Sequence, residues 1–349
     1  MDTSTRSITP RGGPAVEARG LVKRFGDKIV LDRLDLTVAE GTVLAVLGPN
    51  GAGKTTTVSI LTTLLEPDAG SATVAGADVV ASPGEVRGRI GVSGQYAAVD
   101  EHLTGFENLD MIGRLYHLGR KRAKDRAVEL LERFSLADAA DRPAGTYSGG
   151  MRRRLDLAGA LVAEPPVLFL DEPTTGLDPR SRIELWSVIR DLVARGSTLL
   201  LTTQYMEEAE QLADDIVVID DGREIAHGTA DQLKTMVGGD RIEVALQSEE
   251  SLEDARLLLA PFSVGNLSVD GRSLTAPVSG GARTLTEALR SLDSAGIELR
   301  DVGLRRPTLG DVFLAITGRV AEHDNGSFTS NGQPQNTSAA ELVTTKEAP

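Results

Sequence analysis

Apolar positions along the chain follow two alternating rhythms. Short unbroken runs, "TVLAVLG" (42–48), "VLFLDEP" (167–173), "STLLLTT" (197–203) and "DIVVIDDG" (215–222), are separated by stretches with helical spacing. Apolar runs of this length predict strands covered on both faces. Their alternation with helices predicts an α/β domain over 15–238, built on a mostly parallel sheet. Between Gln95 and Tyr147 the pattern turns helical. "ENLDMIGRLYHLG" (107–119) and "RAVELLERFSL" (126–136) are both amphipathic, which predicts an inserted helical subdomain over about 96–147.

After "GGD" (238–240) the rhythm changes again. Strand (241–247), helix (250–260), strands (264–269 and 273–278), helix (282–294), strand (297–304) and helix (308–317) succeed one another. This order predicts a small α+β domain over 239–318, a split βαβ, ferredoxin-like unit with an added helix. Residues 1–14 are expected to be a flexible lead-in. The tail from 319 to 349 is polar and expected to be disordered.

Composition narrows the function classes. Hydrophobic residues make up 40% of the 349 positions, and the formal net charge is -14. An acidic balance argues against a nucleic-acid partner and against electrostatic adhesion to anionic lipid. Without cysteine there is neither disulfide nor thiolate chemistry. The four histidines (His102, His117, His227, His323) show no ligand spacing. No apolar run approaches the roughly 18 residues that span a bilayer, and "MDTSTRSITPRGGP" has no apolar segment of a secretory signal. A membrane role would have to come through a partner.

Two stretches carry chemistry. "LAVLGPNGAGKTTTVSIL" places Gly48, four residues (Pro49, Asn50, Gly51, Ala52) and then Gly53-Lys54-Thr55-Thr56 between a strand and a helix. This is a phosphate-binding loop in its proper setting. Glycines let backbone N–H groups approach phosphate, and the helix N-terminus favours negative charge. Lys54 can reach the β- and γ-phosphates of a bound nucleotide, and the Thr55 hydroxyl can ligate Mg²⁺. In "VLFLDEPTTGLDP", Asp171 and Glu172 end an apolar strand, where open α/β sheets place their ligands. Asp171 is a candidate Mg²⁺ ligand, and Glu172 a candidate to orient or deprotonate the attacking water. A plain strand terminus before a turn is the bland alternative, which the upstream loop disfavours.

A third stretch, "YSGGMRRRL" (147–155), reads by itself as a glycine turn or a basic patch. Taken with the others it completes an ordered set. The chain resembles the ATP-binding subunits of ABC transporters: "LGPNGAGKTT" resembles their Walker A motif, "YSGGM" their signature, "LFLDEP" their Walker B and "GLD" (176–178) their D-loop. Gln95, in "VSGQYAAVD", stands in the place of the Q-loop glutamine, and Phe25 in that of the aromatic that stacks on adenine.

The resemblance implies an ATP-sandwich dimer with a second copy or a homologous ATPase subunit. Ser148, Gly149 and Gly150 would lead a helix toward the partner's ATP, beside Asp178. Gln95 would touch Mg²⁺. It also implies an integral membrane permease as partner, and a place on the cytoplasmic face of the plasma membrane. The arginines fan by about 100° per residue, so Arg152, Arg153 and Arg154 cannot share one ligand.

The chain departs from the family at Tyr147, Met151 and Gln204, where leucine, glutamine and a switch histidine are usual. Gln204 can donate to a γ-phosphate but does not titrate near neutrality, which supports hydrolysis driven by Glu172. "TYSGGMRRRLDLA", "LLTTQYMEEA", "GQYAAVDEHLTGFENL" and "PTLGDVFLAITGR" are similar to the daunorubicin-resistance type of drug-export ATPases. That likeness implies efflux of a hydrophobic drug or antibiotic; a soluble ABC-type ATPase without a transport role is the alternative. Tyr96, Leu103, Phe106, Leu109, Met111 and Tyr116 either form the subdomain's own core, as most are expected to, or receive a permease helix.

Overall fold

The computed structural model describes residues 13–95, 98–236 and 239–318. The expected lead-in up to 12, Tyr96, and the tail from 319 lie outside them.

Six strands form the central sheet, in the spatial order β10 (Arg223–Gly228), β9 (Asp215–Asp220), β3 (Val43–Leu47), β8 (Thr198–Thr203), β7 (Val167–Asp171) and β6 (Ile90–Ser93). All neighbours run parallel except β10, which lies antiparallel to β9. The apolar runs are continuous because successive residues enter two different cores. Val43, Ala45, Leu47, Leu168, Leu170, Leu199 and Leu201 face one cluster; Leu44, Val46, Val167, Phe169 and Leu200 face the other. The second cluster is closed by helix α1 (Lys54–Leu61) and an antiparallel sheet ordered β2 (Lys28–Val38), β1 (Val16–Phe25), β4 (Ala69–Val74) and β5 (Ala77–Asp78), next to the short helix α2 (Pro83–Arg87).

Helices cover the first cluster. They are α3 (Gly105–Leu115), α4 (Arg120–Arg133), α5 (Gly149–Ala160), α6 (Pro179–Ala194), α7 (Met206–Leu212) and α8 (Ala230–Met236). Their starts are written locally. Thr104 and Glu107 form a capping box on α3, Ser148 caps α5, and Asp178 caps α6 ahead of Pro179. In α4 the charge run "RKRAKDRA" lies along an exposed face, with Ala123 and Ala127 turned inward. Leu109 is fully buried, and Phe106 packs on the same core. Met111, Leu115 and Tyr116 remain exposed.

A third sheet, ordered β12 (Ser268–Asp270), β13 (Ser273–Pro277), β11 (Arg241–Leu246) and β14 (Leu299–Arg305), is wholly antiparallel. With α9 (Leu252–Leu259) and α10 (Gly281–Ser294) it encloses a separate core. The expected strand over 264–269 shrinks to three residues, because Ser263 bridges Val278 and its hydroxyl turns the chain by donating to the Gly265 carbonyl. The last helix, α11 (Leu309–Thr317), does not join this core. Leu309, Val312 and Phe313 enter the large core under the central sheet.

One buried acid ties α6 to α7. Glu208 is fully buried and accepts from the Trp186 indole N–H at 3.1 Å. Burial pushes its carboxyl pKa up, outweighing the hydrogen bonds that favour the charged form. The folded protein therefore holds this proton more tightly than the unfolded chain. Stability falls as pH rises from the ordinary glutamate pKa through the raised one. In Glu208→Gln, whose amide oxygen still accepts from Trp186, that slope should vanish. Urea unfolding at several pH values should show the variant gaining on the wild type across the interval; a gap independent of pH would refute this assignment.

Candidate nucleotide site

The parallel register sets the site. Leu47 pairs with Thr203 and Asp171 with Thr202, so β3, β8 and β7 end side by side. The loop 48–53 leaves β3 here and turns into α1. Gly48 is required by packing, since a Cβ would stand 2.4 Å from the Ile219 carbonyl oxygen. Gly53 has φ +106°, and a Cβ there would meet Leu31 at 2.6 Å. Pro49 and Ala52 close the loop through an Ala52 N–H to Pro49 carbonyl bond of 3.2 Å, with Asn50 and Gly51 between them. Lys54 opens α1 and is buried. Its Nζ donates to the carbonyls of Gly48 (2.9 Å) and Pro49 (3.1 Å) and lies 3.1 Å from Glu172 Oε1. Thr55 is exposed and Thr56 half-buried on the same first turn.

Glu172 has φ +48°, a left-handed conformation costly for a residue with a side chain, by about 1–3 kcal/mol. Its N–H donates to the Thr202 carbonyl and hydroxyl oxygens at 3.1 Å each, and Thr175 Oγ1 donates to its carboxylate at 3.2 Å. Asp171 is buried, and its Oδ1 accepts from the Thr202 hydroxyl, which orients the carboxylate. Hydroxyl, carboxylate and amide oxygens at Thr55, Asp171 and Gln95 are the hard donors that Mg²⁺ takes. Gln204 follows β8 directly, between Thr203 and the start of α7. Gln95 is exposed just beyond β6. Phe25 is half exposed at the end of β1, with Lys23 Nζ 5.8 Å from its ring centre, so it is not a core aromatic.

The structure thus gathers Lys54, Asp171, Glu172 and the loop 48–53 at one end of the sheet. Ser148–Gly150 make none of the described hydrogen bonds or ion pairs of that loop. They start α5 instead, where Ser148 Oγ accepts from Met151 N–H at 3.2 Å. A Cβ on Gly150 would lie 2.7 Å from Ser181 Oγ. Ser181 in turn donates to both oxygens of Asp178, and its N–H bond to that carboxylate is the main cause of a lowered pKa there.

The three arginines part company: Arg152 approaches Glu101 (3.8 Å), Arg154 approaches Glu184 (3.6 Å), and Arg153 turns inward. Arg153 bonds four main-chain carbonyls of the Asp171 and Gln95 loops. Sequence spacing could pair it with Asp156 one turn on, but not with carbonyls from distant strands. Burial raises the Asp156 pKa against the hydrogen bonds from Ser93 and Ala98.

Residues 31–175 match the family model described as ABC transporter. The chain is 56% identical over 313 residues to a daunorubicin resistance ATP-binding protein of Streptomyces coeruleorubidus, covering 89% of this chain and 97% of the relative. It is 50% identical to the daunorubicin/doxorubicin resistance ATP-binding protein of Streptomyces peucetius, over 88% of this chain and 94% of that one. A solved ATP-binding subunit of an ABC transporter is 29% identical, with a TM-score of 0.58 over 64% of this chain and 92% of that one. With the phosphate loop, the paired acids and the signature helix all in place on the matching fold, the chain belongs to the ABC transporter family, as an ATP-binding, ATP-hydrolysing cassette.

Proposed function

We propose that this cassette powers an exporter that expels a hydrophobic drug or antibiotic through a separate membrane permease. The near full-length likeness to daunorubicin-resistance ATP-binding proteins supports the cargo class. The observation that carries the catalytic part is the buried Lys54–Glu172 pair at the mouth of the phosphate loop. No helix among the described residues is long and apolar enough to cross a membrane. In this reading the cassette acts from the cytoplasmic face of the plasma membrane, docked on the permease.

Each residue has a definite task. Backbone N–H groups of Asn50, Gly51 and 53–56 and the Lys54 ammonium hold the β- and γ-phosphates, while Phe25 stacks on adenine. Thr55, Asp171 and Gln95 would hold Mg²⁺, which would supply positive charge to offset that of the phosphates. Glu172 aligns a water and takes its proton as the water oxygen bonds the γ-phosphorus and the bond to the β–γ bridging oxygen breaks. Gln204 donates its amide N–H to the γ-phosphate. Ser148, Gly149 and Gly150 close the site of a second copy packed head to tail, with Asp178 beside them, so ATP draws two subunits together and hydrolysis lets them part.

Glu172→Gln should lower ATP turnover by at least about 100-fold and leave an ATP-held dimer on gel filtration. Turnover equal to wild type would remove Glu172 from this role. Affinity purification of the tagged chain from gently solubilised native cells should recover a polytopic membrane protein in comparable amount. Recovery of ribosomes, DNA or no partner would overturn the export reading while leaving the ATPase intact.

A further inference from the structure

The helix that starts at the signature also grips the catalytic loops of its own subunit. Arg153 lies five residues beyond Ser148, about 7 Å along α5. Only 8% of Arg153 and 6% of Asp156 are exposed. The Arg153 guanidinium donates through Nε to the Pro173 carbonyl (2.7 Å), through Nη1 to that of Gly94 (2.6 Å), and through Nη2 to those of Asp171 (3.1 Å) and Glu172 (3.3 Å). Asp156 accepts from Ser93 Oγ and from the Ala98 N–H (2.7 Å), and sits 3.7 Å from Arg153. Gln95 therefore hangs from a loop fixed on both sides by α5. The left-handed backbone of Glu172 is pinned by Arg153 on its carbonyl and by Thr202 on its N–H.

We propose that Arg153 and Asp156 are positioning residues that hold Glu172 and Gln95 of a subunit's own site in register with the helix that caps its partner's nucleotide. The inference rests on the head-to-tail dimer described above. A γ-phosphate at Ser148 fixes the direction of α5. A planar fork that engages four carbonyls of two loops transmits that direction rigidly to the water-activating carboxylate of the other site. A lysine ammonium, with three donors around one point, cannot span the same set. The two sites are then coupled energetically, and that coupling is readable as cooperativity.

The test compares full-length wild type with Arg153→Lys and Asp156→Asn, and with Glu172→Gln as a parallel control. Arg153→Lys should bind ATP with a Kd within about threefold of wild type and melt within a few degrees of it, yet lose about tenfold or more in kcat. Its Hill coefficient for ATP should drop toward that of independent sites, and an ATP-held dimer should persist on gel filtration although Glu172 is intact. Asp156→Asn, which keeps one acceptor oxygen, should show the same split between kcat and Kd at smaller amplitude.

Wild-type kcat or an unchanged Hill coefficient in Arg153→Lys would overturn the proposal. So would losses of ATP affinity and thermal stability that match the loss of rate, the pattern of a merely structural residue, and so would wild-type kcat in Asp156→Asn. Continued hydrolysis by Glu172→Gln would instead sink the catalytic reading itself. The two failures are thus told apart.

Discussion

The ion pair between Lys54 and Glu172 is the constraint around which the site is organised. Both side chains are more than nine-tenths buried, so neither charge can be left to water. The ammonium has three N–H bonds, and three acceptors meet it: the carbonyls of Gly48 and Pro49 and the Glu172 carboxylate. Removing one partner from such a pair costs roughly 3–5 kcal/mol, because the other charge stays behind uncompensated. The geometry can be met only if β3, β8 and β7 end at the same level. Their register supplies this, and Thr202 on the middle strand reaches both acids. Loop, helix and sheet order are therefore not independent features. Each is a condition for satisfying the same buried charges.

Much of this was legible in the residues because the signals are local. Unbroken apolar runs located four of the six central strands to within a residue or two, and the stretch "YSGGM" put Ser148 at the start of a helix, where α5 begins. The phosphate loop declared itself through glycines whose need is visible in the fold, Gly48 by contact and Gly53 by its dihedral angle. The site's supports were not legible. Arg153 looks like one of three surface arginines, and its carbonyl partners lie 18 to 59 residues away. Backbone carbonyls carry no residue identity, so no spacing rule could find them. The left-handed Glu172 is equally silent in sequence, because nothing about glutamate favours that conformation.

The arginine triplet also separates charge from function. A run of three like charges suggests an external anion. Here two of them make long, partly exposed ion pairs of the kind that contribute about 0–1 kcal/mol. The third acts through neutral carbonyls in the interior, where its single plane of donors serves two loops at once. The acidic surface and the buried cation are compatible because they answer to different surroundings.

Helix α11 gives the chain an unexpected topology. The polypeptide leaves the large body after α8, builds the third sheet with its own core, and returns to bury Leu309, Val312 and Phe313 in the first core. The small unit is consequently threaded as a loop tethered at both ends, not hung from the end as a tail. A stop codon near residue 239 would therefore do more than delete an accessory module. It would tear three buried side chains out of the nucleotide-binding body and expose the cavity they fill. Excising the unit cleanly would mean joining the end of α8 directly to the segment before Leu309.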